Sequence, residues 1–301
     1  MVGPAFALAG AIAFSFKAIL VKLAYGFHAV DPLTLLALRM LYAAPFYTAI
    51  LAWSSRGAPR VRGRDWMLVL ALGCIGYYLS SYLDFLGLQY ISAALERLVL
   101  FTYPTLVALL SAIFLARPIT RRTALALAIT YFGVTLVFWH DLRLARDVSL
   151  TLLGSALVFG SALLYAVYLV CAGPMIERLG TVRFTAGAML ASTGFVAAQF
   201  TLTRPLEALA QPASIHLIGA TMAVVCTVLP SFLIAEAVRR IGANHVSMMG
   251  SVGPLSTVIF GALLLGEPIG VLQVAGGVAV VGGVLLLVAR QTGAADSRPR
   301  L

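Results

Sequence analysis

Charge is what this sequence has least of. Charged residues make up 11% of the 301 residues, whereas hydrophobic residues make up 61%. Soluble globular domains carry about 25% charged residues, so this composition excludes an ordinary soluble protein. Long apolar runs such as 123–138 also lack the period-two alternation of barrel strands. The composition therefore predicts an all-α polytopic membrane protein, because helices and closed barrels are the structures that can span lipid.

Residues that commonly carry chemistry are also scarce. The three cysteines lie in apolar runs without paired spacing, and the four histidines are scattered. The sequence contains no His-Glu-x-x-His, no Gly-x-Ser-x-Gly and no phosphate-binding loop. We therefore expect no enzyme activity, no metal site and no cofactor. The net charge of +10 does not indicate nucleic-acid binding, because the 19 Arg and 2 Lys fall mostly in short loops between apolar runs.

Ten hydrophobic segments have about the length that a bilayer core requires. The predicted spans are 4–24, 32–53, 66–87, 91–115, 121–139, 150–171, 181–202, 214–236, 244–265 and 270–289. The first run lacks the features of a cleaved signal peptide, so we expect it to be retained. Residues 291–301 are polar and are expected to form a loose cytoplasmic tail.

The loop charges predict the orientation of the chain. With the N-terminus in the cytoplasm, 14 basic residues fall on the inner side and 4 on the outer side. By the positive-inside rule, both termini are then cytoplasmic in a bacterial inner (plasma) membrane. Five spans in each half must insert in opposite senses. The sequence therefore predicts two inverted five-helix repeats, at 1–146 and 147–290, which is an architecture common among secondary transporters.

Paired prolines support this duplication. Pro104 and Pro118 recur as Pro254 and Pro268, at an offset of 150 that is close to half of the chain. A proline inside a helix removes one backbone hydrogen bond and bends the helix. We therefore predict kinks in the fourth and ninth spans, with freed carbonyls at Leu100 and Gly250. These positions are either hinges that line a midplane binding site or static packing kinks.

Several short motifs resemble those of a known transporter group. They are Asp31-Pro32-Leu33-Thr34 leading to Arg39, the Tyr103-Pro104 and Gly253-Pro254 helices, and Leu265-Gly266-Glu267-Pro268 followed by Gln273 and Gly283. Over the whole chain, the sequence resembles the EamA-type branch of the drug/metabolite transporter (DMT) superfamily, and within it bacterial aromatic amino-acid exporters. One departure is Arg117, where the family usually has an acidic residue.

That resemblance implies a function. It implies a carrier that exports small metabolites by alternating access, with aromatic and other apolar amino acids as the favoured cargo. The alternative is a carrier of the same fold for a nucleotide sugar, a phosphorylated metabolite or a cationic drug. An integral-membrane enzyme or scaffold is disfavoured, because neither a catalytic constellation nor a soluble domain is present. The expected partners are a small-molecule substrate and the lipid bilayer, with the chain a monomer or homodimer.

Five charged residues fall within predicted spans of the first half. Each should face a cavity or another charge, because a charge at the bilayer centre costs about 3 kcal/mol or more. We predict that Arg39 pairs with Asp84 or Glu96 as a structural bridge, leaving Lys17 or Arg97 near the outer vestibule. Alternatively, all five pair with one another or reach the interface. Asp84 and Glu96 are also the candidates for proton coupling.

Aromatic residues recur at helical spacing in two spans. Tyr78, Tyr82 and Phe85 share one face of the third span, as do Ser161, Tyr165 and Tyr168 of the sixth. Such faces either pack in a core or line a pocket for an amphipathic ligand with an apolar ring. The predicted substrate-binding residues are Lys17, Tyr78, Tyr82, Phe101, Tyr103, Tyr165, Met248 and Ser251.

Small residues mark a different kind of face in the tenth span. Ala275, Ala279 and Gly283 lie at i, i+4 and i+8. Small residues at this spacing let two helices approach closely. We therefore expect the fifth and tenth spans to form scaffold or subunit contacts.

Overall fold

The chain folds into an all-α bundle. The computed structural model describes residues 2–28, 30–58, 61–114, 116, 119–145 and 147–295, and in this part it contains no strand. Its ten helices are α1 (Val2–Phe27), α2 (Pro32–Ser54), α3 (Gly63–Gly87), α4 (Ala93–Phe114), α5 (Arg121–Leu144), α6 (Val148–Leu179), α7 (Thr181–Thr203), α8 (Ala213–Gly242), α9 (243–265) and α10 (Val271–Ala295). Each of the ten predicted spans coincides with one helix.

Hydropathy supports a membrane location for this bundle. Seven of the helices, α1 to α6 and α8, are long and apolar enough to cross a bilayer, and two further apolar helices, Val252–Leu265 and Val271–Leu286, are shorter. The largest boundary error is at the C-terminus of α6, which continues eight residues beyond the predicted end to Leu179. It stops at Gly180, whose φ of 77° favours glycine. The protein is a polytopic α-helical membrane protein.

We name the two ends of the bundle by their loops. The α1–α2 end contains the α1–α2, α3–α4, α5–α6, α7–α8 and α9–α10 connections, and the α2–α3 end contains the others. In the predicted orientation, the α1–α2 end faces outwards. Arg117 and Arg146, which entered the sequence arguments, lie outside the described residues, as do Pro118 and the end of the tail.

Helices α4 and α9 are each divided into two half-helices close to the prolines at which the sequence predicts kinks. Helix α4 consists of Ala93–Leu100 and Tyr103–Phe114, with a turn between them. Pro104 therefore lies in the first turn of the second half-helix, where its missing N–H leaves no hydrogen bond unmade. At the break, the Thr102 hydroxyl donates to the Val99 carbonyl at 2.7 Å.

Helix α9 has the same construction. Gly242, with φ 80° and ψ 155°, separates it from α8. Its first half spans 243–250, its second half is Val252–Leu265, and Ser251 lies between them. Pro254 thus occupies the first turn of a half-helix, like Pro104. The two breaks differ in position by 150 residues, as the sequence duplication predicts.

A second paired feature was not predicted. Helix α3 contains a π-helical segment at Cys74–Leu79 and α8 contains one at Val224–Val228, again 150 residues apart. In α8 the Thr227 hydroxyl donates to the carbonyl of Met222, five residues earlier, at 2.9 Å. Such segments change the direction of the side chains that follow and are frequent at functional sites. The matching positions are consistent with two repeats of one ancestral unit.

Helices α5 and α10 form the closest helix pair. A Cβ atom added to Gly133 of α5 would lie 2.6 Å from the Gly276 carbonyl oxygen and 2.9 Å from Cβ of Ala279. Gly283 likewise faces the backbone of α5 at Ala126. Two residues of the predicted small face, Ala279 and Gly283, therefore form a contact within the chain, whereas Ala275 is exposed.

Candidate functional site

Lys17 lies at the centre of a buried polar cluster, which we define as Lys17, Arg39, Asp84, Glu96 and Arg97. Its ammonium contacts Asp84 Oδ2 at 2.5 Å and Glu96 Oε1 at 3.5 Å. The exposed fractions of these three residues are 6%, 1% and 0%. The cluster therefore joins α1, α3 and α4 through charges that are withdrawn from solvent and lipid. The prediction that Lys17 lies near an outer vestibule is wrong, because packing on three sides encloses it.

Arg97 of α4 binds α1 and lies close to the α9 break. Its Nη2 donates to the Ser15 hydroxyl of α1 at 3.0 Å, and its guanidinium carbon lies 5.0 Å from the centre of the Phe14 ring. A Cβ atom added to Gly253 would lie 3.1 Å from Arg97 Nη2 and 2.7 Å from Ser15 Oγ. Gly253 therefore allows the α9 break to approach Arg97 of α4. Arg97 is buried and does not reach the vestibule either.

Arg39 does not form the predicted bridge to Asp84 or Glu96. Its Nε donates to Thr227 Oγ1 at 3.1 Å, and its guanidinium lies 5.6 Å from the Phe85 ring. The prediction rested on similar depths, which do not determine the direction of a side chain. The π-helical segment of α8 brings Thr227 to α2, whereas α1 places Lys17 between the two carboxylates.

The cluster is not fully hydrogen-bonded. Among the described residues, five of its buried polar atoms have no hydrogen-bond partner: Arg39 Nη1, Asp84 Oδ1, Glu96 Oε1, Glu96 Oε2 and Arg97 Nε. Buried polar atoms are usually paired, so unpaired ones concentrated in one place require a physical reason. Retaining them costs stability, which is typical of a site kept for function.

A row of aromatic rings lies beside the α4 break. We define the aromatic row as Tyr77, Phe101, Tyr103, Tyr165 and Tyr168. Adjacent ring centres are 5.0 Å apart for Tyr77 and Tyr168, 5.7 Å for Tyr168 and Tyr165, 5.2 Å for Tyr165 and Tyr103, and 6.2 Å for Tyr103 and Phe101. Three predicted binding residues, Phe101, Tyr103 and Tyr165, are therefore brought together.

Tyr77 was missed by the sequence argument. It follows the start of the π-helical segment, and helical spacing alone grouped Tyr78 with Tyr82 instead. Its hydroxyl accepts a hydrogen bond from Tyr168 at 3.1 Å. By contrast, no hydrogen bond to the Tyr103 or Tyr165 hydroxyl occurs among the described residues, and both side chains are only half-buried. Both groups therefore remain available to a ligand.

Tyr78 and Tyr82 lie on another side of α3. Their rings stack at 6.4 Å, and Tyr78 also stacks on Phe195 of α7 at 5.8 Å. The Tyr78 hydroxyl donates to Gln199 Oε1 at 2.9 Å. Phe195 also lines an apolar groove of about 440 Å³ between α2, α3 and α7. The predicted aromatic residues are thus divided: Tyr78 and Tyr82 lie on the α7 side of α3, and Phe101, Tyr103 and Tyr165 belong to the aromatic row.

The predicted residues of α9 lie at its break. Gly250 ends the first half-helix, Ser251 is buried between the halves, and Pro254 follows in the second half. A Cβ atom added to Gly250 would meet no atom within 4 Å. The side chain of Met248 lies outside the described residues.

A cavity of about 990 Å³ opens at the α1–α2 end, and we call it the vestibule. It is lined in part by Lys22, Ser92, Asp141, Glu267 and Gln273. The Glu267 carboxylate accepts the Ala93 N–H at 2.8 Å, so the loop between α9 and α10 caps the N-terminus of α4. Burial raises the pKa of Glu267, and the helix N–H groups and Lys22 only partly oppose this.

The vestibule and the cluster together lack the ligands of a metal site. Within the described part of the chain, no three His, Cys, Asp or Glu side chains are grouped so that they could hold a metal ion. The chemistry available in these two regions is therefore charge and hydrogen bonding.

Known proteins agree with this description. The EamA-like transporter family matches residues 1–139 and 152–289. The "Uncharacterized transporter YcbK" of Bacillus subtilis is 32% identical over 297 residues, covering 95% of this chain and 91% of that protein. An "Uncharacterized transporter" of Archaeoglobus fulgidus is 26% identical over 270 residues, covering 88% and 91%. A solved structure described only as "Crystal structure of protein" has the same fold, with a TM-score of 0.66 at 18% identity over 98% of this chain and 99% of that one. The chain belongs to the EamA-like transporter family and is a membrane transporter, not an enzyme.

Proposed function

We propose that the chain exports small amphipathic metabolites, and aromatic and other apolar amino acids first among them. The observation that carries this proposal is the aromatic row beside the α4 break. Aromatic rings supply a large apolar contact area with a polar end, and this suits a cargo that has one apolar ring and a few polar groups. In this proposal the hydroxyls of Tyr103 and Tyr165 bind the polar groups of the cargo.

The broken helices support an alternating-access mechanism. Discontinuous helices in both repeats are typical of midplane binding sites in secondary transporters. Here the breaks of α4 and α9 approach each other where Gly253 meets Arg97. Few backbone hydrogen bonds cross a break, so the half-helices can reorient without unfolding. In this mechanism Pro104, Gly250 and Pro254 define the hinges, and rocking of the two repeats opens the site alternately to each side.

A second class of cargo is favoured by Arg97. Its side chain lies at the junction of the two broken helices, deeper than the sequence argument placed it, and its Nε lacks a partner among the described residues. A guanidinium binds carboxylates and phosphates in a planar, two-point geometry. Carriage of phosphorylated metabolites is therefore the alternative to amino acids.

Transport by purified protein in liposomes tests the proposal. Liposomes containing radiolabelled phenylalanine, tyrosine or tryptophan should lose the label faster than protein-free liposomes. A phosphorylated metabolite, a nucleotide sugar and a cationic drug serve as competitors. Failure of all three aromatic amino acids to move faster than in protein-free liposomes contradicts the proposal, and strong inhibition by the phosphorylated competitor favours the alternative.

Matched variants identify the aromatic face that contacts the cargo. Tyr165→Leu should raise the KM for an aromatic amino acid, because the ring and its free hydroxyl are both lost. Tyr78→Leu should leave KM nearly unchanged, because this tyrosine packs on Phe195 and bonds Gln199. The opposite result would place the binding site on the Tyr78 side of α3.

A further inference from the structure

Glu96 is the most fully buried charged residue among those described, and Lys17 and Asp84 are its neighbours. Its exposed fraction is 0%, and neither carboxyl oxygen has a hydrogen-bond donor in the described part of the chain. An ionised carboxylate withdrawn from water is costly unless donors or a close cation compensate it. A protonated carboxyl avoids most of that cost. The surroundings of Glu96 therefore favour the form that holds a proton.

Asp84 lies closer than Glu96 to the nearest cation, which is Lys17. Lys17 Nζ lies 2.5 Å from Asp84 Oδ2 but 3.5 Å from Glu96 Oε1. The shorter contact is a charge-assisted hydrogen bond, and the longer one lies at the limit of hydrogen bonding. Two carboxyls beside one ammonium do not ionise independently, and the second ionisation is opposed by the first. The geometry thus assigns the negative charge to Asp84 and the proton to Glu96.

The remaining charged groups leave this assignment intact. Arg97 follows Glu96 in sequence, but its Nη2 is bonded to Ser15 of α1. Arg39 of α2 is bonded to Thr227. The ionisable groups near the start of α4, from α1, α5 and the α9–α10 loop, are Lys22, His140, Asp141 and Glu267. The charged residues and histidine of α6 and α9, namely Glu177, Arg178 and His245, lie at the α2–α3 end, and the described side chains of α10 carry no charge.

The vestibule comes within about one helical turn of Glu96. Ser92 lines that cavity, and Glu96 lies four residues further along, which is about 6 Å or one helical turn deeper. Gln273 lines the same cavity with an exposed fraction of 2%, and its Oε1 has no partner among the described residues. Ser92 therefore brings the polar lining of the vestibule to within about one helical turn of Glu96.

We propose that Glu96 binds a proton that moves in exchange for the cargo. The proton enters from the vestibule and forms an O–H bond on Glu96 as the cargo leaves on that side. After the carrier reorients, the O–H bond breaks, the proton passes to water on the opposite side, and the next cargo molecule binds. One proton moves in and one cargo molecule moves out in each cycle, and Lys17 stays on Asp84 while Glu96 is neutral.

Infrared spectroscopy tests proton binding without reference to any cargo. Purified protein at neutral pH should show the carbonyl band of a protonated carboxylic acid, and Glu96→Gln should remove that band. Glu207→Gln is the control, because Glu207 is an exposed carboxyl in the 3₁₀ turn Leu206–Leu209 and should leave the band unchanged. Absence of the band, or its persistence in Glu96→Gln, overturns the proposal.

Transport in liposomes tests the coupling, and this arm rests on the proposed function for its cargo. An inward proton gradient should drive phenylalanine out against its concentration gradient in the wild type and in Glu207→Gln. Glu96→Gln should lose this uphill movement and the accompanying proton flux but keep exchange of labelled for unlabelled phenylalanine. Exchange without any response to pH in the wild type overturns the proton proposal alone. No exchange by any variant contradicts the amino-acid proposal, and the infrared result then decides on Glu96 by itself.

Where Glu96→Gln does not fold, Glu96→Asp replaces it. The shorter carboxyl retains the carbonyl band, and the band should shift in frequency because its surroundings change. An unchanged band would assign the proton to another carboxyl and overturn the proposal.

Discussion

The two halves of the molecule share a backbone plan but differ in charge. Both have a π-helical segment in the third helix and a break in the fourth, at positions 150 residues apart. The first half places Lys17, Asp84 and Glu96 in the interior. At the equivalent positions, the second half has Val167, Ile234 and Val246. Backbone discontinuity is therefore shared by the two halves of the chain, whereas these buried ionisable groups belong to the first half.

The two halves therefore contribute different kinds of groups to the interior. The second half contributes neutral groups to the charged residues of the first, as Thr227 does for Arg39 and Gly253 for Arg97. Symmetric hinges suit a rocking motion of two repeats. A coupling site, by contrast, needs only one buried carboxyl. A second group of buried charged residues in the other half would add a large desolvation cost. Substitutions at four places in the molecule test this comparison.

Replacing Lys17 by Val should have the largest effect on stability. The substitution copies Val167 of the second half but leaves Asp84 and Glu96 without their cation. Breaking a buried ion pair by removing one partner costs about 3–5 kcal/mol. The free energy of unfolding in detergent micelles measures this loss. Val167→Ala, at the equivalent and only half-buried position, should cost less than about 1 kcal/mol.

The double variant Lys17→Val with Asp84→Ile sharpens that result. It replaces the ion pair by the apolar pair of the second half, and apolar replacements of buried ion pairs are often close to neutral. It should therefore be more stable than Lys17→Val alone, with a coupling energy of about 0.5–3 kcal/mol. Additive losses would show that Lys17 and Asp84 do not stabilise each other.

Alanine substitutions at two glycines of the α9 break distinguish a position where a side chain would clash from one where it would not. Gly253→Ala would place a Cβ atom 2.7 Å from Ser15 Oγ and 3.1 Å from Arg97 Nη2. Overpacking of this kind typically costs about 1–3 kcal/mol. Gly250→Ala meets no atom within 4 Å, so it should stabilise the helix by up to about 1 kcal/mol. Thermal unfolding of the two variants tests this, and equal losses would contradict the contact at Gly253.

Glu267→Ala should weaken the link between the repeats by a smaller amount. It removes the carboxylate that accepts the Ala93 N–H, and loss of a helix cap costs about 1 kcal/mol. Glu267→Gln keeps an acceptor oxygen and should lose less. Denaturant unfolding of both variants gives the comparison, and an equal loss would show that the charge, not the cap, matters.

The difference in stability between the wild type and Glu267→Gln should also depend on pH. Because burial raises the pKa of Glu267 above 4.5, its contribution to stability is fully present below pH 4.5. The contribution is lost as pH rises through the folded-state pKa. The stability of the wild type relative to Glu267→Gln should therefore fall as pH rises through this window. A constant difference would contradict the raised pKa.

The smallest effect is expected at the start of α2, where Asp31 is only partly buried. Asp31 caps this helix by accepting the Thr34 N–H at 3.0 Å, and it pairs with Arg204 at 2.9 Å. Helix α7 in the second half has no side-chain cap. Asp31→Asn keeps the cap and loses the charge, so it should cost less than about 1 kcal/mol at neutral pH.

At acidic pH the difference in stability between the wild type and Asp31→Asn should disappear. Partial burial acts to raise the pKa of Asp31, but hydrogen bonds from Arg204 and Thr34 outweigh it and lower the pKa below 3.8. The stabilisation is present above pH 3.8 and lost as pH falls through the folded-state pKa. Unfolding measurements on the wild type and Asp31→Asn across this range test the pairing. A difference that survives in acid would assign it to another cause.

The sequence by itself determined the class and outline of this protein. Apolar runs of bilayer length determined the number and approximate bounds of the helices, because burial in lipid requires closed backbone hydrogen bonding. Paired prolines located both interruptions, and the scarcity of interior charge marked Lys17, Asp84, Glu96 and Arg97 as unusual. These features depend on local composition and spacing, which a single sequence contains.

The tertiary structure alone decided which groups meet. Depth estimates predicted that Arg39 pairs with a carboxylate. In the structure Lys17 pairs with Asp84, and Arg39 donates a hydrogen bond to Thr227, because the direction of each side chain decides its partner. The π-helical segments changed the helical register, so Tyr77 joined the aromatic row while Tyr78 turned to α7. Contacts between residues 67 or more positions apart depend on how helices pack, and helical periodicity within one segment does not encode this.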